Sequence, residues 1–168
     1  MIGFDRTAVR TSAEGPEFRV GTRFCWDDPD DASEVKGTKE YIYVSAAEAI
    51  TAEGYLCVLD TDFAAEMVDT TSSAAGAGQG QMCGAAQAAI ASGGYGWLQI
   101  YGKGPIRTLA SAAIGTFLNS TATPGAVDDD ATTGAERIDG LTVGTASGTA
   151  AETNGDGYFN YPRVGPTL

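Results

Sequence analysis

From Glu17 onward the chain is cut by turn residues at intervals too short for helices. Strand-sized runs rich in β-branched and aromatic residues succeed one another: EFRVGTRFCW, EYIYVSA, GYLCVLD, AAEMVD, MCGAAQAAIA, YGWLQIYG, PIRTLA, TFLN, RIDGLTVGT and YFNY. Between them lie DDPDD, TAEG, SSAAGAGQG, ASGG, TATPG and TNGDG, which carry the Gly, Pro, Asn and Asp that turns need for positive or fixed φ. Only Ser45 to Ala52 permits a helical turn, and a single one. This punctuation predicts an all-β fold, a small β-barrel or β-sandwich. Alternation within the runs places Val20, Ile42, Leu56, Val58, Leu98, Ile100, Leu118, Ile138 and Val143 in its core.

The chain has 168 residues, enough for one body with a real core, and its 23 glycines favour short strands and turns. Residues 24–168 read as that body. An imperfect repeat runs through it. SAAEAITAEGYLCVLD and the following AEMVD…QMCG correspond to ASAAIGTFLNSTA and the following GAVDD…RIDG. Both halves place Ile50 or Ile114, Gly54 or Gly115, an aromatic–Leu pair (Tyr55-Leu56, Phe117-Leu118), Val68-Asp69 or Val127-Asp128, and a hydrophobic–x–Gly (Met82 to Gly84, Ile138 to Gly140) in the same order. If structural, the repeat implies two similar β units packed together.

Residues 1–23 carry isolated apolar residues and four arginines without either regular period, and read as an extended N-terminal arm. Such a segment buries too little of its own apolar surface to offset its ordering entropy, about 1–2 kcal/mol per residue. Its order is therefore expected to come from a neighbouring subunit or partner surface, contacted through Ile2, Phe4, Arg6, Val9, Arg10, Phe18 and Arg19. Removal of residues 2–16 would then leave the body folded.

Composition excludes several functions. A net charge of −12 and a pI near 4.1 oppose nucleic-acid binding, which needs a basic surface. The uncharged stretch from Thr70 to Tyr101 is too broken by Gly and polar residues to cross a membrane, and the first residues lack the apolar core of a secretory leader. The absence of histidine removes the usual proton-transfer side chain and the commonest metal ligand, so no enzymatic activity is expected. Cys25, Cys57 and Cys83 show no metal-binding spacing and read as free thiols. The acidic runs around Asp27, Asp28, Asp30 and Asp31, and around Asp128, Asp129, Asp130 and Glu136, do not fit a calcium loop and read as solvated. No metal or cofactor is expected.

GGYGWLQIYGKG matches no phosphate-binding glycine motif. Its alternation sets Tyr95, Trp97, Gln99 and Tyr101 on one strand face, opposite Gly96, Leu98 and Ile100. The rings of Tyr95, Trp97 and Tyr101 form a candidate contact face for a sugar or a protein.

The order GYLCVLD, GAAQAAIASG, YGWLQIYG, AAIGTFLNSTATPGAVDDD and IDGLTVG, from Gly54 to Thr145, resembles that of small β-rich head-decoration (cement) proteins of tailed bacteriophages. Its strongest piece is Tyr95 to Gly102, and no part of it is catalytic. The resemblance implies a virion protein on the outer surface of the phage head, bound to the major capsid protein, bridging capsomers and stabilising the shell. It further implies a homo-oligomer, with a trimer the first expectation. The alternative is a carbohydrate-binding or spike- or tail-associated β module using the aromatic face.

Overall fold

A computed structural model describes residues 4–27, 37–148 and 152–167. The described chain is all-β. Its strands are β1 (Arg23–Asp27), β2 (Thr38–Ala46), β3 (Leu56–Leu59), β4 (Ala64–Met67), β5 (Cys83–Ala86), β6 (Tyr95–Leu109), β7 (Phe117–Ser120), β8 (Val127–Asp128), β9 (Glu136–Val143) and β10 (Glu152–Thr167). Among the described residues there is no helix. Ser45 and Ala46 end β2, and Ile50 forms an antiparallel bridge with Ile90 where a helical turn was allowed for.

The ten strands form one hydrogen-bonded sheet that closes on itself twice. In the first ring β2 lies parallel to β4, β4 pairs with β3, β3 with β5, β5 with β6, and β6 returns to β2, all antiparallel after the first step. In the second ring β6 lies parallel to β8, β8 pairs with β7, β7 with β9, β9 with β10, and β10 returns to β6. The second ring repeats the connectivity of the first, with β6 to β10 in the places of β2 to β6. β6 is thus the last strand of one barrel and the first of the other. Closure leaves few open edges, the usual weakness of a β protein.

The sequence repeat coincides with this structural repeat. Gly54 (φ 86°) and Gly115 (φ 77°) both turn the chain into the second strand of their unit through a left-handed conformation that suits glycine. Gly54 N–H donates to the Ala86 carbonyl, and Gly115 N–H to that of Val143. Each bond joins this turn to the end of the fourth strand. The pairing of β7 with β9 is irregular between Phe117, opposite Thr142, and Leu118, opposite Ile138, where β9 carries the surplus residues.

Alternation decides which side chains fill the barrels. Ile42, Val44, Ala46, Cys57, Leu59, Ala65, Ala86, Leu98 and Ile100 fill the first. β3 and β5 are buried on both faces. Their other side chains, Leu56, Val58, Cys83 and Ala85, join Ile106, Leu118, Val127, Ile138, Leu141, Val143 and Phe159 of the second barrel in one core. A wall buried on both sides must be apolar and thin, which explains LCVL and CGAA. A β-carbon on Gly84 would lie 2.9 Å from Leu98 Cβ. Each large aliphatic side chain taken wholly out of water contributes about 1.5–3 kcal/mol. Eight of the nine expected core residues are buried. Val20 is the correction: it is half-buried, in the irregular segment before β1, because Gly21 (φ 85°) turns the chain there instead of continuing a strand.

Candidate functional site

The outer face of β2 and the first half of β6 is aromatic, with Tyr41, Tyr43 and Trp97 buried there. The N-terminal segment roofs it. Phe4 stacks on Phe24 with centroids 4.1 Å apart and meets Trp97 edge-on at 5.1 Å, while Phe18 lies 5.3 Å from Trp97. Arg10 exchanges backbone hydrogen bonds with Tyr95, at 2.9 and 2.8 Å, so this part of the segment is an added rung of the first barrel.

Three of the four arginines are likewise engaged within the chain. Arg6 Nη1 donates to Gln87 Oε1 at 2.7 Å and to Glu53 Oε1 at 3.2 Å. Arg10 pairs with Glu17 at 3.3 Å, and Arg23 with Glu40 at 3.7 Å. The inference that the N-terminal segment needs an outside surface is therefore corrected. It has little core of its own, as its composition indicated, but this chain's aromatic face supplies the contacts. Val9, Phe18 and Arg19 remain exposed. Ile2 lies outside the described residues, as do Asp28, Asp30 and Asp31.

The candidate contact face is corrected for the same reason. Trp97 is only 2 % exposed and Tyr95 is half-buried. A sugar could not stack on Trp97 without displacing Phe4 and Phe18. Tyr101 is exposed, but at the far end of the row, where it faces Tyr161 at 5.2 Å.

The remaining chemistry-bearing groups do not converge. Among the described residues no three His, Cys, Asp or Glu side chains are placed to hold a metal ion. Asp129 Oδ2 accepts from the Ala113 N–H, and Asp128 Oδ1 from that of Asp129, so both act as turn acceptors. Burial raises the Asp128 pKa. Cys57 and Cys83 sit on paired strands, but they belong to different cores and are free thiols, and burial pushes the Cys83 thiol up to about 12. A crevice of about 460 Å³ between the barrels contains Arg6, Lys39, Glu53, Lys103 and Asp156. Its charges pair across it, Arg6 with Glu53 and Lys103 with Asp156 at 3.0 Å. Comparison with family models and with curated proteins finds no match.

A surface that alternation alone did not reveal lies on the second barrel. Phe117 is opposite Thr142, and Thr142 opposite Tyr158, so these three side chains form one outward row across β7, β9 and β10. Phe117 is 54 % exposed and Tyr158 52 %, and Ile114, in the turn leading to β7, is 66 % exposed. Arg137 lies over the Phe117 ring with its guanidinium carbon 3.7 Å from the centroid, holding the ring against the sheet. TFLN and YFNY each carry adjacent apolar residues. Only the register shows that Leu118 and Phe159 face inward while Phe117 and Tyr158 face water.

Proposed function

We propose that this protein is a structural, non-enzymatic component of a tailed-phage particle that sits on the outer surface of the head and braces it by bridging subunits of the major capsid protein. The observation that carries the reading is the outward row of Phe117, Thr142 and Tyr158 with nearby Ile114, held on a doubly closed barrel. Adjacent large apolar side chains in water favour a protein surface that covers them, and aromatic residues are the usual anchors of such contacts. The acidic charge supports a place outside the shell, away from packaged DNA. The resemblance over Gly54 to Thr145 supports the same assignment, and the exposed Val9, Phe18 and Arg19 offer a second contact.

Co-sedimentation with expanded, DNA-free heads is the test. The wild-type protein should pellet with heads and not with unassembled capsid subunits. Replacement of both rings, Phe117→Ser with Tyr158→Ser, should weaken pelleting at least tenfold while circular dichroism stays unchanged. Equal binding to free subunits, or undiminished pelleting of a folded double variant, would overturn the proposal.

A further inference from the structure

Closure of the two barrels leaves one strand half-paired. Among the described residues, β1 is the strand that pairs on one side alone, with β2. The direction of its free groups follows from the register. Tyr43 N–H donates to the Thr22 carbonyl and Tyr43 accepts from Gly21 N–H, whereas Ala46 N–H donates to Gly94, beside β6. Odd-numbered residues of β2 therefore face β1 with their amides. Counting along the ladder, Phe24 and Trp26 bond to Tyr41 and Lys39. The backbone amides at positions 23, 25 and 27 point away from β2. Arg23, Phe24 and Cys25 are exposed, and among the described residues no backbone group bonds to this edge.

We infer that the free edge of β1 pairs antiparallel with the same strand of a second copy, joining the two molecules about a two-fold axis at Cys25. The sequence RFCWD is self-complementary in that register. Residue 23, a cation that also pairs with Glu40 of its own chain, falls opposite residue 27 of the other copy, an anion in the sequence, and Phe24 falls opposite Trp26. Registers centred on residue 24 or 26 keep three of the five residue pairs and forfeit the charge match. The centred register also gives each outward amide a partner. Phe24 and Trp26 lie on the face roofed by Phe4, so pairing would extend the aromatic layer across the axis and cover the exposed part of Phe24. This contact makes pairs where the phage resemblance led us to expect trimers. It is independent of attachment to a head.

Four measurements on the full-length protein test the pairing. Sedimentation equilibrium should show a monomer–dimer equilibrium. Cys25→Pro deletes an outward N–H without touching a bond to β2, so the variant should remain folded and become at least tenfold weaker in dimerisation. Arg23→Asp should weaken the dimer and Arg23→Asp with Asp27→Arg should restore it, each relative to its own folded monomer. Paired residues of this kind stand about 5.5 Å apart at Cα, within disulfide range. Diamide, as two-electron oxidant, should therefore join the two Cys25 thiols into a disulfide dimer that Cys25→Ser abolishes. A wild-type protein that stays monomeric at every concentration overturns the inference. So does an oligomer that survives Cys25→Pro and forms no Cys25 cross-link.

Discussion

The side-chain amide of Gln99 fills the space that a β-carbon on Gly104 would need. Gln99 is buried, and its Nε2 donates to the carbonyls of Tyr101 and Lys103, both at 3.0 Å. β6 turns from one barrel to the other here, through Gly102 at φ 88°. The amide satisfies carbonyls that the bend removes from the ladder, and the missing side chain at 104 makes room for it. Gly104→Ala should cost about 1–3 kcal/mol from overpacking, and Gln99→Ala about 1–3 kcal/mol from unpaired carbonyls. Because the second change vacates the volume the first invades, the double variant should be less destabilised than the sum. Urea unfolding of the four proteins checks this, and strict additivity would contradict the shared volume.

Phe4 covers Trp97 and contacts three other aromatic rings. Phe4→Ala should lower stability by about 1–3 kcal/mol and shift Trp97 emission to the red, read in a Trp26→Phe background. Removal of residues 2–16 should act in the same direction and more strongly. An unshifted spectrum in the truncated protein would show that the roof does not seal Trp97.

Of the three thiols only Cys25 is exposed. A thiol reagent should modify one cysteine in the native protein and three after unfolding. The buried thiols also set a pH dependence. Cys83 ionises near 9.0 when unfolded but near 12 in the fold, and burial raises Cys57 as well. Between these values the native state holds protons that the unfolded state has released, so stability is full below about pH 9 and falls as pH rises. The fall between about pH 8 and about pH 11 should be smaller in a Cys57→Ala, Cys83→Ala variant. Tyrosine ionisation, common to both proteins, cancels in that comparison.

Leu56 and Leu118 hold matching places in the two units, and both are wholly buried in the shared core. Truncation of either to Ala should cost about 2–5 kcal/mol. Thermal unfolding should remain a single transition in each variant, because the core that loses a side chain belongs to both barrels. Two separated transitions would show that the units melt independently.

Much of this architecture is legible in the residues, and the failures have physical causes. Alternation identifies Leu98, Ile100 and Ile138 as inward because a strand with one wet face must alternate. It also sets Trp97 and Gln99 on the opposite face, which is correct, but no periodicity says that a distant segment will cover that face. Phe4 and Phe18 lie in a segment without regular structure, so their sequence surroundings resemble those of a tail. The repeat is visible through Gly54 and Gly115, whose backbone conformations restrict replacement, while the strands around them differ in residues and in packing. The Phe117–Tyr158 row depends on a bulge and on pairing between residues far apart in the chain.

β6 enters one barrel at Tyr95 and leaves the other at Leu109 as a single covalent strand. Two barrels that merely touched could roll or shear against each other under load, since only side-chain contacts would resist. Here tension from one barrel passes to the other along peptide bonds, and sliding them apart would require breaking the ladder on both sides of the same strand. The molecule should therefore respond to force as one stiff unit, and yield first in the N-terminal roof, which an isolated bridge between Arg10 and Tyr95 joins to the first barrel.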